Sequence, residues 1–228
     1  MNQIARKRLE TTLERIRTAC QAAGREPQTV RLLAVSKRKP VEAIRELHGL
    51  GQPAFGENYV DEAVAKIEAL DDLDLQWHYI GPIQSNKTKL IAAHFDWVES
   101  VDRSKIVRRL NDQRPQALAP LNVLSQVNID EEPQKAGCAP DEIEALAGQI
   151  ADSDRLILRG MMAIPAQRDD HEARRAVFAR LRELFEKLQA DHPEVDTLSA
   201  GMTADLEAAI AEGSTEIRIG TALFGPRD

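Results

Sequence analysis

The chain has 228 residues, 43% of them hydrophobic and 29% charged, with a formal net charge of −7; this is a soluble globular composition, long enough to bury a core, and its acidic balance argues against a broad nucleic-acid surface, which needs a basic face. Two cysteines far apart, Cys20 and Cys138, form no Cys-x-x-Cys pair, and the five histidines show no ligand spacing, so neither a disulfide framework nor a metal centre is expected. Residues 1–19 are charged and lack an unbroken apolar run, which excludes a signal peptide or a membrane span and points to the cytoplasm.

Apolar periodicity sets the elements in chain order. Leu9, Leu13, Ile16 and Cys20 recur at three- and four-residue spacing and predict an N-terminal helix that Gly24 ends. Short apolar runs with little polar alternation follow at 30–36, 53–58, 76–81, 97–101, 121–128, 158–165, 197–201 and 216–224. Such runs are expected of strands covered on both faces. Helical stretches separate them at 41–48, 59–70, 87–94, 103–114, 141–151, 172–190 and 203–212. Pro140 introduces one of these, Gly213 closes the last, and Val177, Leu181, Leu184 and Leu188 stripe the clearest. Cys20 reads as core, whereas Cys138, in a Gly-Cys-Ala-Pro loop, is expected to be partly exposed.

Eight strands alternating with helices argue for an α/β fold, a single (β/α)8 TIM-type barrel over residues 1–228 with an additional N-terminal helix and no second β domain. An open doubly wound sheet is the structural alternative. No helix is expected after the eighth strand, and the N-terminal helix is expected to take the vacant outer place.

Active sites in this architecture lie at the C-terminal ends of the strands. Lys37 ends the first run, and a lysine at the end of a buried strand is either a nucleophile, its amine made available by burial, or, with Arg38 and Lys39, an exposed loop charge. Ser199, Gly201, Gly220 and Thr221 end the seventh and eighth runs. Small residues and hydroxyls there suit a phosphate, helped by the helix that starts near Thr203; they suit tight turns equally. Arg218 interrupts an apolar strand on the same face as Gly220, and needs an anion: a buried carboxylate such as Glu57 or Glu99, or a cofactor atom.

The motifs Leu33-Ala34-Val35-Ser36-Lys37, Phe55-Gly56-Glu57-Asn58-Tyr59, the run from Trp77 through His78 to Asn86 and Lys87, Gly160-Met161-Met162-Ala163-Ile164-Pro165, and the stretch from Ser199 to Asp228 come in a specific order. In that order the sequence resembles the pyridoxal phosphate homeostasis proteins, which look like the isolated N-terminal barrel of alanine racemase. The resemblance covers nearly the whole chain. It implies pyridoxal 5′-phosphate as cofactor, a Schiff base on Lys37, and further cofactor-binding positions at Asn58, Met162, Ser199, Gly201, Arg218, Gly220 and Thr221. It places Arg218 by the ring nitrogen, where a cation keeps that nitrogen unprotonated and weakens the ring as an electron sink. His78, Asn86 and Lys87 match a segment beside the site. The family commonly has Met at Ala200, Ser at Thr203 and Leu at Met161; none of these departures removes a cofactor-binding group.

A racemase of this type needs acid–base groups on both faces, and the opposing tyrosine of alanine racemase comes from a domain absent here. A carrier that regulates pyridoxal phosphate and amino-acid pools without robust catalysis is therefore expected. A low-activity racemase or lyase is the alternative, and a Schiff-base aldolase on a phosphorylated sugar is a third reading. The expected partners are the cofactor and pyridoxal-phosphate-dependent apoenzymes, with no nucleic acid and no membrane, and the chain is expected to be a monomer. Clustering suggests Lys39, Lys87 or Lys89 as a second landing amine.

Overall fold

A computed structural model describes residues 3–226. The apolar runs become eight strands: β1 (Arg31–Val35), β2 (Ala54–Glu57), β3 (Gln76–Tyr79), β4 (Trp97–Val101), β5 (Leu121–Val127), β6 (Leu156–Ala163), β7 (Thr197–Ser199) and β8 (Glu216–Ile219). Every neighbouring pair is parallel, and β1 pairs with both β2 and β8, so the sheet closes as a barrel in chain order. Closure leaves no edge strand, which rules out the open alternative. The last two residues of the final motif, Arg227 and Asp228, lie outside the described residues.

Nine α-helices dress the barrel among the described residues: α1 (Gln3–Ala22), α2 (Val41–His48), α3 (Val60–Ala69), α4 (Thr88–His94), α5 (Ser104–Gln113), α6 (Ile143–Ala151), α7 (His171–Asp191), α8 (Leu206–Ala211) and α9 (Thr221–Phe224). Helix α7 starts on Asp170, whose carboxylate accepts the Ala173 N–H at 2.7 Å, and buries Val177, Phe178, Leu181, Phe185 and Leu188. Helix α1 packs against α8, α9 and α2, taking the expected outer place. Its buried stripe is Ala5, Leu9, Thr12, Ile16, Ala19 and Cys20, with Leu13 exposed. The spacing of that stripe turns position 12 inward instead of Leu13, and the Thr12 hydroxyl is satisfied there by the Arg8 carbonyl at 2.9 Å. Burying Leu9 and Ile16 contributes on the order of 1.5–3 kcal/mol each.

Besides Leu13, three expectations are corrected. The eighth strand stops at Ile219, and a short helix follows it: Gly220 leaves the extended region at φ −112°, ψ −82°, and its carbonyl accepts the Phe224 N–H at 3.0 Å. Helix α8 begins at Leu206, because the Asp205 carboxylate accepts the Met202 N–H at 2.6 Å and folds 203–205 into a turn. Cys138 is buried, since a bridge to Val127 draws its loop onto β5, and burial pushes its thiol up to about 12.

One irregularity matters for the site. Opposite β5, β6 skips a residue between Leu158 and Gly160, and Gly160 sits at φ +145°. This bulge shifts the strand's alternation by one. Met161 then joins the core under the helices, while Met162 turns inward onto Trp97 and Leu124.

Candidate functional site

The barrel interior is polar at its centre. Strand alternation turns His78, Glu99, Ser199, Glu216 and Arg218 inward, and each is at most 5% exposed. His78 Nδ1 lies 2.7 Å from Glu99 Oε1, and the Ser199 hydroxyl donates to Glu99 Oε2 at 2.7 Å. The Arg218 guanidinium donates to the Ser199 hydroxyl and carbonyl, both at 2.7 Å, and to the Ala163 carbonyl at 2.8 Å. Of the two carboxylates expected for Arg218, Glu99 is thus reached through Ser199. Glu57 points outward to Lys66. The ring of His78 stacks on Trp97 at 5.1 Å, and Arg31 covers the same indole from the barrel floor at 4.8 Å.

His78, Glu99 and Glu216 bring potential ligand atoms within 4.8 Å of one another, although their sequence spacing gave no hint of it. Both oxygens of Glu99 already hold hydrogen bonds, whereas His78 Nε2 and Glu216 Oε1 are buried without a hydrogen-bond partner. Burial pushes His78 down to about 4, against the pull of Glu216. Burial also pushes Glu216 up to about 7, with Glu99 adding to the shift and the Arg31 guanidinium 3.5 Å away only moderating it.

These two shifts predict a pH signature. His78 is depressed from 6.5, so its contribution is present above 6.5 and is lost as pH falls through about 4. Glu216 is raised from 4.5, so its contribution is present below 4.5 and is lost as pH rises through about 7. Between those limits the two slopes oppose, and the folded chain shows little pH dependence from the pair. Burial raises the carboxyls of Glu99 and Glu57 as well, so the test is the change from wild type. Glu216→Gln should make the slope of stability against pH more positive between 4.5 and 7, and His78→Gln should make it more negative between 4 and 6.5. Each change in slope is expected to reach up to ~1.4 kcal/mol per pH unit. Urea unfolding of wild type and both variants across this range measures it, and changes of the same sign contradict the assignment.

Above this polar core lies the C-terminal mouth. Register pairs Leu33 with Arg218 and Val35 with Gly56, so Lys37 and Asn58 continue β1 and β2 at one level, over the layer that holds Arg218. Lys37 is half-buried in the turn after β1, and Arg38 next to it takes the left-handed conformation at φ +59°. Asn58 is half-buried, with an Oδ1 that is shielded from solvent and has no hydrogen-bond partner. Gly220 faces Val35, and a Cβ on it would meet the Val35 carbonyl at 3.4 Å. Gly201 sits at φ +99°, where a Cβ would lie 2.5 Å from that of Ala209. Thr221 is exposed at the rim, and Met162 is buried below it beside Leu124. Ser199 is deeper than the rim, with its hydroxyl committed to Glu99 and Arg218.

The other singled-out residues lie outside this ring. Asn86 is exposed, Lys87 pairs with Asp61 at 2.7 Å, and Lys39 donates to the Pro226 carbonyl at 2.7 Å. Sequence reasoning passed over Glu216 and Lys66. The signal for Glu216 is a weaker form of the one that marked Arg218: a charged residue on the same strand face two positions earlier, with Ile217 after it but Thr215 before it.

Comparison with known proteins identifies the family and the fold. The profile of the alanine racemase N-terminal domain matches residues 5–228. A pyridoxal phosphate homeostasis protein of Pseudomonas aeruginosa is 58% identical, covering 94% of this chain and 92% of its own. The protein of the same name from Escherichia coli is 49% identical, covering 100% and 98%. The solved structure of PipY from Synechococcus elongatus with pyridoxal phosphate bound is 37% identical with a TM-score of 0.83, covering 97% of this chain and 100% of that one. Alanine racemase of Corynebacterium glutamicum, at 15% identity and a TM-score of 0.65, shares the fold over 96% of this chain and 61% of its own. A closed barrel with a lysine at the end of its first strand, an arginine within its eighth and relatives of matching length therefore places the chain in the pyridoxal phosphate homeostasis protein family, built on the alanine racemase N-terminal domain.

Proposed function

We propose that this chain is a single-domain carrier of pyridoxal 5′-phosphate, held reversibly as a Schiff base on Lys37, which regulates cofactor and amino-acid pools without robust catalysis. The observation that carries the reading is the position of Lys37 at the barrel mouth, above the layer of Arg218.

The residues present suit the group. Gly220 carries no side chain over Val35 and Thr221 adds a hydroxyl at the rim, as a phosphate requires, while Gly201 lets its turn pack onto Ala209 and Ile217. Asn58 brings an unpartnered polar atom, and Met162 an apolar surface for a ring. Ser199 acts from below by holding Arg218. When bound, the cofactor supplies an aldehyde. The Lys37 amine adds to that carbon, a C=N bond forms and the oxygen leaves as water; addition of water reverses the step and frees the cofactor. Arg218 is a cation at any working pH, so toward a pyridine nitrogen it donates a hydrogen bond and yields no proton.

The tyrosines support a carrier over a racemase. Tyr79 is buried, and its hydroxyl lies 3.0 Å from the Pro82 carbonyl and 3.3 Å from that of Asn58. Burial pushes this phenol up to about 12, far from a working acid. Tyr59 is exposed beneath the Arg38 guanidinium at 5.3 Å. We further propose that the chain is a cytoplasmic monomer whose partners are apoenzymes that take up the cofactor. Its two cysteines are unpaired, and among the described residues no helix is long and apolar enough to cross a membrane. Borohydride reduction of the loaded protein followed by peptide mapping should place the phosphopyridoxyl mass on Lys37. Incubation with single amino acids should show no sustained turnover. Turnover lost in Lys37→Ala overturns the carrier reading in favour of an enzyme.

A further inference from the structure

Behind the Lys37 turn, outside the barrel, lies a buried ionic cluster with no part in the site described above. The Lys66 side chain on α3 is 7% exposed, yet it faces three acceptors: Glu57 Oε1 at 2.7 Å, Glu62 Oε1 at 2.5 Å and the Ser36 carbonyl at 2.8 Å. The Ser36 hydroxyl donates to the same Glu57 oxygen at 2.6 Å, and Glu62 Oε1 accepts the Arg38 N–H at 2.6 Å. The Ser36 carbonyl also accepts the Lys39 N–H at 3.0 Å.

The pattern is specific. The backbone groups directly before and after Lys37, the Ser36 carbonyl and the Arg38 N–H, are both tied to this cluster. Arg38 is held at φ +59°, a conformation that disfavours residues with a Cβ by roughly 1–2 kcal/mol. A turn of that kind persists where its surroundings over-determine it. A buried ammonium is itself unfavourable unless several acceptors surround it, as they do here. The cluster meets the mouth only through the main chain, at the peptides flanking Lys37 and at Glu57 beside Asn58, so its effect on the lysine passes through the backbone.

We propose that Lys66 is a positioning residue for the Schiff-base lysine: with Glu57 and Glu62 it clamps the peptide groups on either side of Lys37, and so fixes the approach of its amine to the aldehyde. This rests on the carrier reading above. The effect belongs to the covalent step and not to general occupancy of the mouth. Pyridoxine 5′-phosphate has the ring and phosphate of pyridoxal 5′-phosphate but an alcohol where the aldehyde stands, so it occupies a site without condensing.

The test compares equilibrium binding of both compounds to the purified full chain. Lys66→Met keeps length and removes the charge. It should raise the Kd for pyridoxal 5′-phosphate about tenfold or more, and leave pyridoxine 5′-phosphate within about twofold of wild type. Glu62→Ala, at the solvent side of the cluster, keeps the test open if Lys66→Met folds poorly. It should shift the same ligand in the same direction by about threefold. Lys66→Arg should restore part of the loss. Equal weakening of both ligands, or no change in either, overturns the positioning role. A wild-type chain that yields no reducible adduct on Lys37 overturns the carrier reading itself, whereas an adduct with unchanged variants overturns only this inference.

Discussion

Arg218→Met should lower the unfolding free energy by about 3–5 kcal/mol. The substitution keeps an unbranched side chain of similar reach and removes only the guanidinium. That group is buried at 5% exposure and closes three acceptors, two of them the Ser199 and Ala163 carbonyls. Each acceptor left dry costs about 1–3 kcal/mol. Burial lowers the pKa of Arg218, and Glu99 is first among the groups that oppose the shift, so the pair shares one electrostatic environment. The double variant Arg218→Met with Glu99→Gln should therefore lose less than the sum of its singles, by about 1–3 kcal/mol. Urea unfolding of the four proteins at one pH measures the cycle. Strict additivity contradicts a coupled interior and leaves Arg218 as a ligand for the cofactor alone.

Gly160→Ala is the second large effect, with an expected loss of roughly 3 kcal/mol or more. A Cβ there would stand 1.9 Å from the Thr197 carbonyl oxygen, on a backbone at φ +145°. Neither strand can retreat without breaking the β6–β7 ladder, which pairs Gly160 with Thr197. The bulge also turns Met162 inward, so a chain that escapes the clash by straightening β6 sends Met162 toward the helices. The expected result is a lower melting temperature together with weaker cofactor binding. A lower melting temperature with unchanged binding would show that Met162 keeps its place by another route.

The eight strands are legible in the sequence because each is a short apolar run bounded by a polar turn, and a parallel sheet between helices covers both faces of all of them; that it closes rests on the pairing of β1 with β8. Boundaries are less legible. The run after Glu216 is mostly apolar to Phe224 apart from Arg218 and Thr221, and its change from strand to helix depends on the dihedrals of Gly220, which apolarity does not encode. The residues at the strand ends stand out because architecture alone says where to look. The polar centre is harder. Glu99, Glu216 and His78 come from three strands, and their meeting depends on barrel stagger, which no local pattern contains. Gly160 is the exception among the missed features: a glycine inside an apolar strand, followed by two methionines, already suggests a bulge. Lys66 looks like an ordinary exposed helix charge, since its burial comes from the carboxylates of Glu57 and Glu62, one on a strand and one on its own helix.

The most direct test of the account is an absorbance spectrum of the wild-type chain and of Lys37→Ala, each with added pyridoxal 5′-phosphate. Wild type should show a visible Schiff-base band that borohydride bleaches, and the variant only the spectrum of free cofactor. A wild-type chain that stays colourless, or a variant that keeps the band, would contradict the assignment of Lys37.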